Sequence, residues 1–214
     1  MKLSQKAVKN GMVAIGTLLL LFFLIQFLTQ SNSPPPPKST LSEKPTGGNF
    51  TLTSVHGKQS LSDFKGKLVL LYFGYTYCPD ICPTDLGNLA MAYRGLNEQE
   101  KAQVQILFVT VDPERDTANR MAEYTDYFNA DMIGLTGHNN EIARVAKQYG
   151  VVYMKAKNPL NSNQSDAQNY TVDHSAFTYI INSTGQLQTQ VPHAMPPAQI
   201  QTLIRTYLTQ DNAS

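Results

Sequence analysis

At 214 residues the chain has room for one short anchoring segment and a single domain of about 150 residues or slightly more. Hydrophobic residues make up 42% of it, with eleven Tyr and nine Phe, which excludes disorder as the overall state, and no repeat period is visible. The formal charge of +1 is uneven: Lys2, Lys6, Lys9 and Lys38 precede Leu41, after which thirteen Lys and Arg face sixteen Asp and Glu, a mildly acidic balance that excludes nucleic acid as a partner.

In chain order, residues 1–10 form a basic tail and residues 11–28 an apolar run without charge, in which only Thr17 and Gln26 are polar. Eighteen helical residues reach roughly 27 Å, close to the thickness of a bilayer core. The expectation is one N-terminal transmembrane anchor, with the lysine-bearing end cytoplasmic and everything after Leu28 extracytoplasmic, in a periplasm or its equivalent. A cleaved signal peptide is the competing reading; Thr29 to Ser33 lacks the small-x-small pattern of a cleavage site, which favours the anchor. Residues 29–48 are rich in Pro and Ser, with Pro34 to Pro37 reading as a short polyproline II spacer. The folded domain occupies residues 49–214.

Within it, Lys67 to Tyr75 and Val104 to Val111 are nearly continuous apolar runs and read as strands buried on both faces. Between them Leu86, Leu89, Ala90, Tyr93 and Leu96 recur at helical spacing, giving a strand, helix, strand unit with parallel pairing. Further helices are marked by Met121, Tyr124 and Phe128, by Ile142, Val145, Ala146 and Tyr149, and by Ile200, Leu203, Ile204, Tyr207 and Leu208. Phe177 to Ile181 and Gln186 to Val191, joined through Gly185, read as a hairpin. Lys155 to Tyr170 is a polar interruption without periodicity, long for an internal loop and therefore either functional or mobile; the stretch from about Asn158 to His174 is expected to be loosely held without metal. The order fits an α/β fold of the thioredoxin-like sandwich type, a central mixed sheet flanked by helices.

Cys78 and Cys82 are the only cysteines. A bridge across three intervening residues removes little loop entropy, so a structural disulfide is the weaker reading. Pro83 disfavours the helical conformation at Cys82 and suits the first helical position, which puts Cys82 at a helix N-cap. The positive end of the helix dipole there favours thiolate, the form that binds metal and attacks disulfides alike. A bare C-x-x-x-C therefore leaves metal binding and thiol exchange both open, and in the second case Cys78 and Cys82 are the catalytic pair.

His56, His138 and His193 each sit beside turn residues and read as solvated loop histidines. His174 instead lies between the polar interruption and the strand from Phe177, the place where thioredoxin-like oxidoreductases typically carry a cis-proline facing the cysteines; by that resemblance a His there would supply a third ligand. Two thiolates and one imidazole suit Cu(I) and are compatible with Cu(II), whereas structural zinc ordinarily takes a fourth protein ligand. Spacing alone does not separate this role from that of a histidine satisfying a loop.

Three blocks change the weighting. Leu70 to Pro83 (LLYFGYTYCPDICP), Phe108 to Thr117 (FVTVDPERDT), and Asp173-His174-Ser175 with Tyr179 closely resemble the SCO/SenC family of copper chaperones, from about Gly57 to about Leu208. The resemblance implies a thioredoxin fold, one copper ion bound by Cys78, Cys82 and His174, and a role in assembling the copper-A centre of cytochrome c oxidase. It thereby implies the oxidase copper-A subunit as recipient and an upstream copper donor. It also supports a second role, a thiol-disulfide reductase that keeps the oxidase cysteines reduced; a copper-dependent redox sensor without delivery is a third reading left open. Ala118 departs from the Pro common after the family's Asp-Thr, a change at a helix start. Asp112 and Asp116 read as a strand end and a helix cap, with support of the metal site or partner docking as the functional alternative.

Overall fold

The computed structural model describes residues 18–26, 45–157 and 170–211. The chain divides into two units, Met1–Glu43 and Lys44–Ser214. In the first, residues 18–26 form a helix, α1, with its leucines and phenylalanines exposed. The rest of the apolar run lies outside the described residues. Among those described, no helix is long and apolar enough to cross a membrane.

The second unit opens with an antiparallel hairpin, β1 (Thr51–Ser54) and β2 (Gly57–Ser60), then a single 3-10 turn, Leu61–Phe64. β3 (Leu68–Gly74) and β4 (Val104–Thr110) follow, separated by α2 (Ile81–Arg94) and the short α3 (Glu98–Ala102). All residues of β3 and β4 are buried, as continuous apolar runs require of strands covered on both faces. Next come α4 (Ala118–Asp126), β5 (Met132–Leu135) and α5 (Asn139–Gln148). The last elements are β6 (Tyr153–Lys157), β7 (Tyr170–His174), β8 (Phe177–Ile181), β9 (Leu187–Pro192) and α6 (Pro197–Asp211).

Five strands make the central mixed sheet in the order β5-β4-β3-β8-β9. β3 pairs in parallel with β4, and β4 with β5; β8 runs antiparallel to both β3 and β9. α2 packs on α6, and α4 packs on β5 and β1. The core lies along the central strands, where Tyr72, Phe73, Phe108, Tyr149 and Tyr179 are fully buried. This is the thioredoxin-like arrangement expected from the order of elements, and it sets the loop after β3 at one end of the sheet.

Two local expectations differ. The polar interruption is flanked by paired strands: Lys155 to Lys157 belong to β6 and Tyr170 to β7, which pair antiparallel with Tyr153 opposite His174 and Lys157 opposite Tyr170. Backbone pairing in a partly exposed hairpin demands no apolar alternation, so composition hid it. Residues 158–169 lie outside the described residues. Helix α2 begins at Ile81 with Asp80 as N-cap, so Cys82 occupies the second helical position and Pro83 the third. The first-turn amides have no intrahelical acceptor, so proline is tolerated there as well as at the first position.

Candidate metal centre

The loop after β3 is pinned before it delivers the cysteines. The backbone N–H and hydroxyl of Thr76 donate to the Asp116 carboxylate at 3.0 and 2.6 Å, and the Thr110 hydroxyl donates to it at 2.7 Å. Asp116 is therefore a buried acceptor reaching across to the cysteine loop, and the helix cap expected of it falls to Thr117, whose hydroxyl accepts from the Arg120 N–H at 3.2 Å. The Cys78 N–H closes a turn onto the Tyr75 carbonyl at 3.2 Å. Four residues on, the Cys82 N–H points at the Cys78 sulfur at 3.4 Å. The Asp80 side chain makes no cap bond, so Cys78 supplies the acceptor that the first turn of α2 lacks.

Both thiols are free, Cys82 buried and Cys78 half-buried. Gly74 makes the space for the deeper one: a Cβ at that position would stand 2.5 Å from the Cys82 sulfur and 3.1 Å from Tyr72 and Phe108.

His174 arrives from the other side, at the end of β7. Its Nδ1 lies 3.1 Å from the Ser175 carbonyl, which only accepts, so Nδ1 carries a proton there and Nε2 is the nitrogen turned to the cysteines. That Nε2 stands 3.3 Å from the Cys82 sulfur. The edges of Tyr72 and Tyr75 fix the ring from two sides, with centroids 6.3 and 6.0 Å away and planes near perpendicular. The Tyr75 hydroxyl also accepts the Val172 N–H at 3.1 Å, which ties β7 to the cysteine loop.

The two sulfurs differ in acidity. Hydrogen bonds to Cys78 from the Cys82 thiol, the His174 ring and the backbone N–H groups of Cys82 and Asp80 lower its pKa well below the ordinary thiol range. Cys82 is shifted upward, first by the hydrogen bond it shares with Cys78 and then by burial. The resting pair is a half-exposed thiolate held by a buried thiol.

The donor atoms of Cys78, Cys82 and His174 all lie within 4.8 Å of one another, close enough to hold one metal ion. Metal–sulfur bonds of about 2.3 Å and metal–nitrogen bonds of about 2.0 Å fit between donors at such separations. The Nδ1–H bond to Ser175 is the outer contact that orients a ligating imidazole. All three residues singled out by sequence are thus brought together. Among the other histidines, His56 and His138 are exposed, as expected of loop positions. His193 is not simply solvated: its Nδ1 pairs with buried Asp85 at 2.9 Å, which also accepts the Ala194 N–H at 2.8 Å. Asp116, within the VDPERDT block, takes the alternative role of supporting the cysteine loop rather than capping a helix, and Gly74 and Tyr72 are further structural partners of the site for which local pattern carried no signal.

Comparison with known proteins agrees with this geometry. The chain is 39% identical over 163 residues to bovine "Protein SCO2 homolog, mitochondrial", covering 75% of this chain and 59% of that protein. It is 39% identical over 149 residues to "Protein sco1" of Schizosaccharomyces pombe, covering 69% and 55%. The chain therefore spans somewhat over half the length of these relatives. Among solved structures, Arabidopsis thaliana ScoI with copper bound superposes with a TM-score of 0.69 at 34% identity, covering 77% of this chain and 99% of that one. With the SCO1/SenC family model matching residues 38–209, all of the described second unit but its last two residues, the chain belongs to the SCO1/SenC family.

Proposed function

We propose that this chain is a copper metallochaperone, which binds one copper ion through Cys78, Cys82 and His174 and hands it on by ligand exchange. The observation that carries the reading is the convergence of two sulfurs and one imidazole nitrogen within 4.8 Å. Two soft donors and one borderline donor suit Cu(I). The copper-bound Arabidopsis thaliana relative supports the choice of metal. The recipient is the copper-A subunit of cytochrome c oxidase, loaded after an upstream donor has filled the site, a role that rests on the family resemblance. Thiol exchange would need the cysteines alone, whereas here the histidine is oriented toward them by Ser175 and two tyrosine edges.

The same reading assigns residues 1–10 to a cytoplasmic tail, 11–28 to a single membrane span, 29–48 to a linker and 49–214 to an extracytoplasmic copper-binding domain. Its support is the uncharged apolar run behind three lysines.

Anaerobic Cu(I) titration with X-ray absorption tests the site. The expected result is one copper per chain with two sulfur neighbours and one nitrogen neighbour. His174→Ala keeps the dithiol redox couple and loses tight copper binding. Equal affinity of variant and wild type against a Cu(I) chelator would overturn the site.

A further inference from the structure

The block Val111-Asp112-Pro113-Glu114-Arg115-Asp116 follows β4 in a tight loop, with the Arg115 and Asp116 N–H groups on the Asp112 carbonyl at 3.2 and 3.0 Å. Asp116 holds the cysteine loop, as described. Asp112 and Arg115 engage β7 instead. Asp112 and Arg115 form an ion pair whose side chains are 0% and 7% exposed, and both engage Tyr170. The Tyr170 hydroxyl donates to Asp112 at 2.6 Å, Arg115 Nη1 donates to the Tyr170 carbonyl at 3.0 Å, and the guanidinium lies 3.7 Å over the Tyr170 ring. The same guanidinium lies 4.7 Å from the ring of Tyr77, the residue before Cys78.

Tyr170 starts β7 and His174 ends it. Side chains two apart on a strand share a face, so Tyr170, Val172 and His174 all point toward the cysteine loop. Each is fastened there: Tyr170 by Asp112 and Arg115, Val172 by its N–H on the Tyr75 hydroxyl, and His174 beside Cys82. β7 pairs only with β6 and has no place in the five-stranded sheet. Its distance from the cysteines is therefore set by these side-chain fastenings rather than by a ladder to β3 or β8.

Resting on the copper reading above, we propose that Asp112, Arg115 and Tyr170 are positioning residues that act through His174. They hold the far end of β7 so that Nε2 stays within reach of the cysteine pair, and they set how readily the imidazole leaves a bound copper during handover. One loop thus gauges both halves of the site, Asp116 for the sulfurs and the Asp112–Arg115 pair for the nitrogen.

Tyr170→Phe is the test, because it deletes one hydroxyl and keeps the ring under Arg115. In full-length protein loaded with one Cu(I), the variant should release copper to a chelator about tenfold faster than wild type, as loss of one charge-assisted hydrogen bond allows. In the His174→Ala background the same substitution should have no further effect on release, the signature of a residue acting through the histidine. In metal-free protein, Val172 and His174 amides should exchange faster in Tyr170→Phe, while the dithiol reduction potential stays at the wild-type value. Unchanged release in the wild-type background, an equal acceleration without His174, or a shifted dithiol potential would each overturn the proposal. Failure of the wild type itself to bind one Cu(I) would instead overturn the reading it rests on. Arg115→Lys serves as the second variant: it keeps the ion pair with Asp112 and loses the flat stacking on Tyr170, and it should repeat the His174-dependent acceleration.

Discussion

A single missing side chain makes the site possible. Gly74 ends β3 at the point where the Cys82 sulfur packs, and any Cβ there meets that sulfur at 2.5 Å and two rigid aromatic rings at 3.1 Å. Since Tyr72 and Phe108 are fully buried and cannot retreat, the sulfur must move. Gly74→Ala is expected to weaken Cu(I) binding by at least roughly tenfold and to cost about 1–3 kcal/mol of stability, the range for overpacking a tight interior. Chelator competition and urea unfolding measure the two effects separately. The paired thiols lead to a second expectation. Cys78 is shifted down, so it is already thiolate at pH 7, and Cys82 is shifted up, so it still carries its proton. Only Cys82 has a proton to give, and copper loading at pH 7 should release about one proton, with affinity rising about tenfold per pH unit around neutrality. Calorimetry in buffers of different ionisation enthalpy counts it; two released protons would mean that Cys78 rests as a thiol.

Elements differ in how firmly they are built, and the difference follows burial. β3 and β4 lie in the centre of the sheet with every residue buried, whereas β6 and β7 form a separate two-stranded hairpin with several exposed positions. Amides of β3 and β4 should exchange only through global unfolding, and those of β6 and β7 through cheaper local opening. Copper, by bonding His174, should slow exchange at Tyr170 to His174 and leave β3 unchanged. Equal protection of β7 with and without bound copper would mean that the imidazole arm is already rigid. The same contrast explains what the sequence disclosed. Lys67 to Tyr75 and Val104 to Val111 announce themselves because burial on both faces leaves apolar residues nowhere interrupted. The strand before Lys157 does not, because its pairing is made by backbone and its side chains answer to solvent. The helix starts at Ile81, two positions before the one Pro83 points to, for a related reason: its cap acceptor is a sulfur from the preceding loop, which no local propensity describes.

At the scale of the whole molecule, the ligands come from two places far apart in chain order: Cys78 and Cys82 from the β3–α2 loop and the first turn of α2, and His174 from the end of β7. A metal that bonds all three links the start of the domain to its last third, and it binds the folded chain far better than the unfolded one. At a free Cu(I) level of about a thousand times Kd the stabilisation is about 4 kcal/mol. For a domain of this size the melting temperature should rise by roughly 10 °C, and a chelator should return it to the metal-free value. The His174→Ala chain should show little of that rise. The ligand set itself was legible because the resemblance named all three residues; the Asp116, Gly74 and Tyr170 contacts were not, since each joins segments that sequence order keeps apart. One feature gives the site a front and a back. Cys78 is half open to solvent while Cys82 is sealed behind it, under Gly74 and against the histidine. His174 is partly open on the same face, so an approaching donor or recipient meets the ion across Cys78 and His174, and the bond to buried Cys82 is the last one broken when the cargo departs.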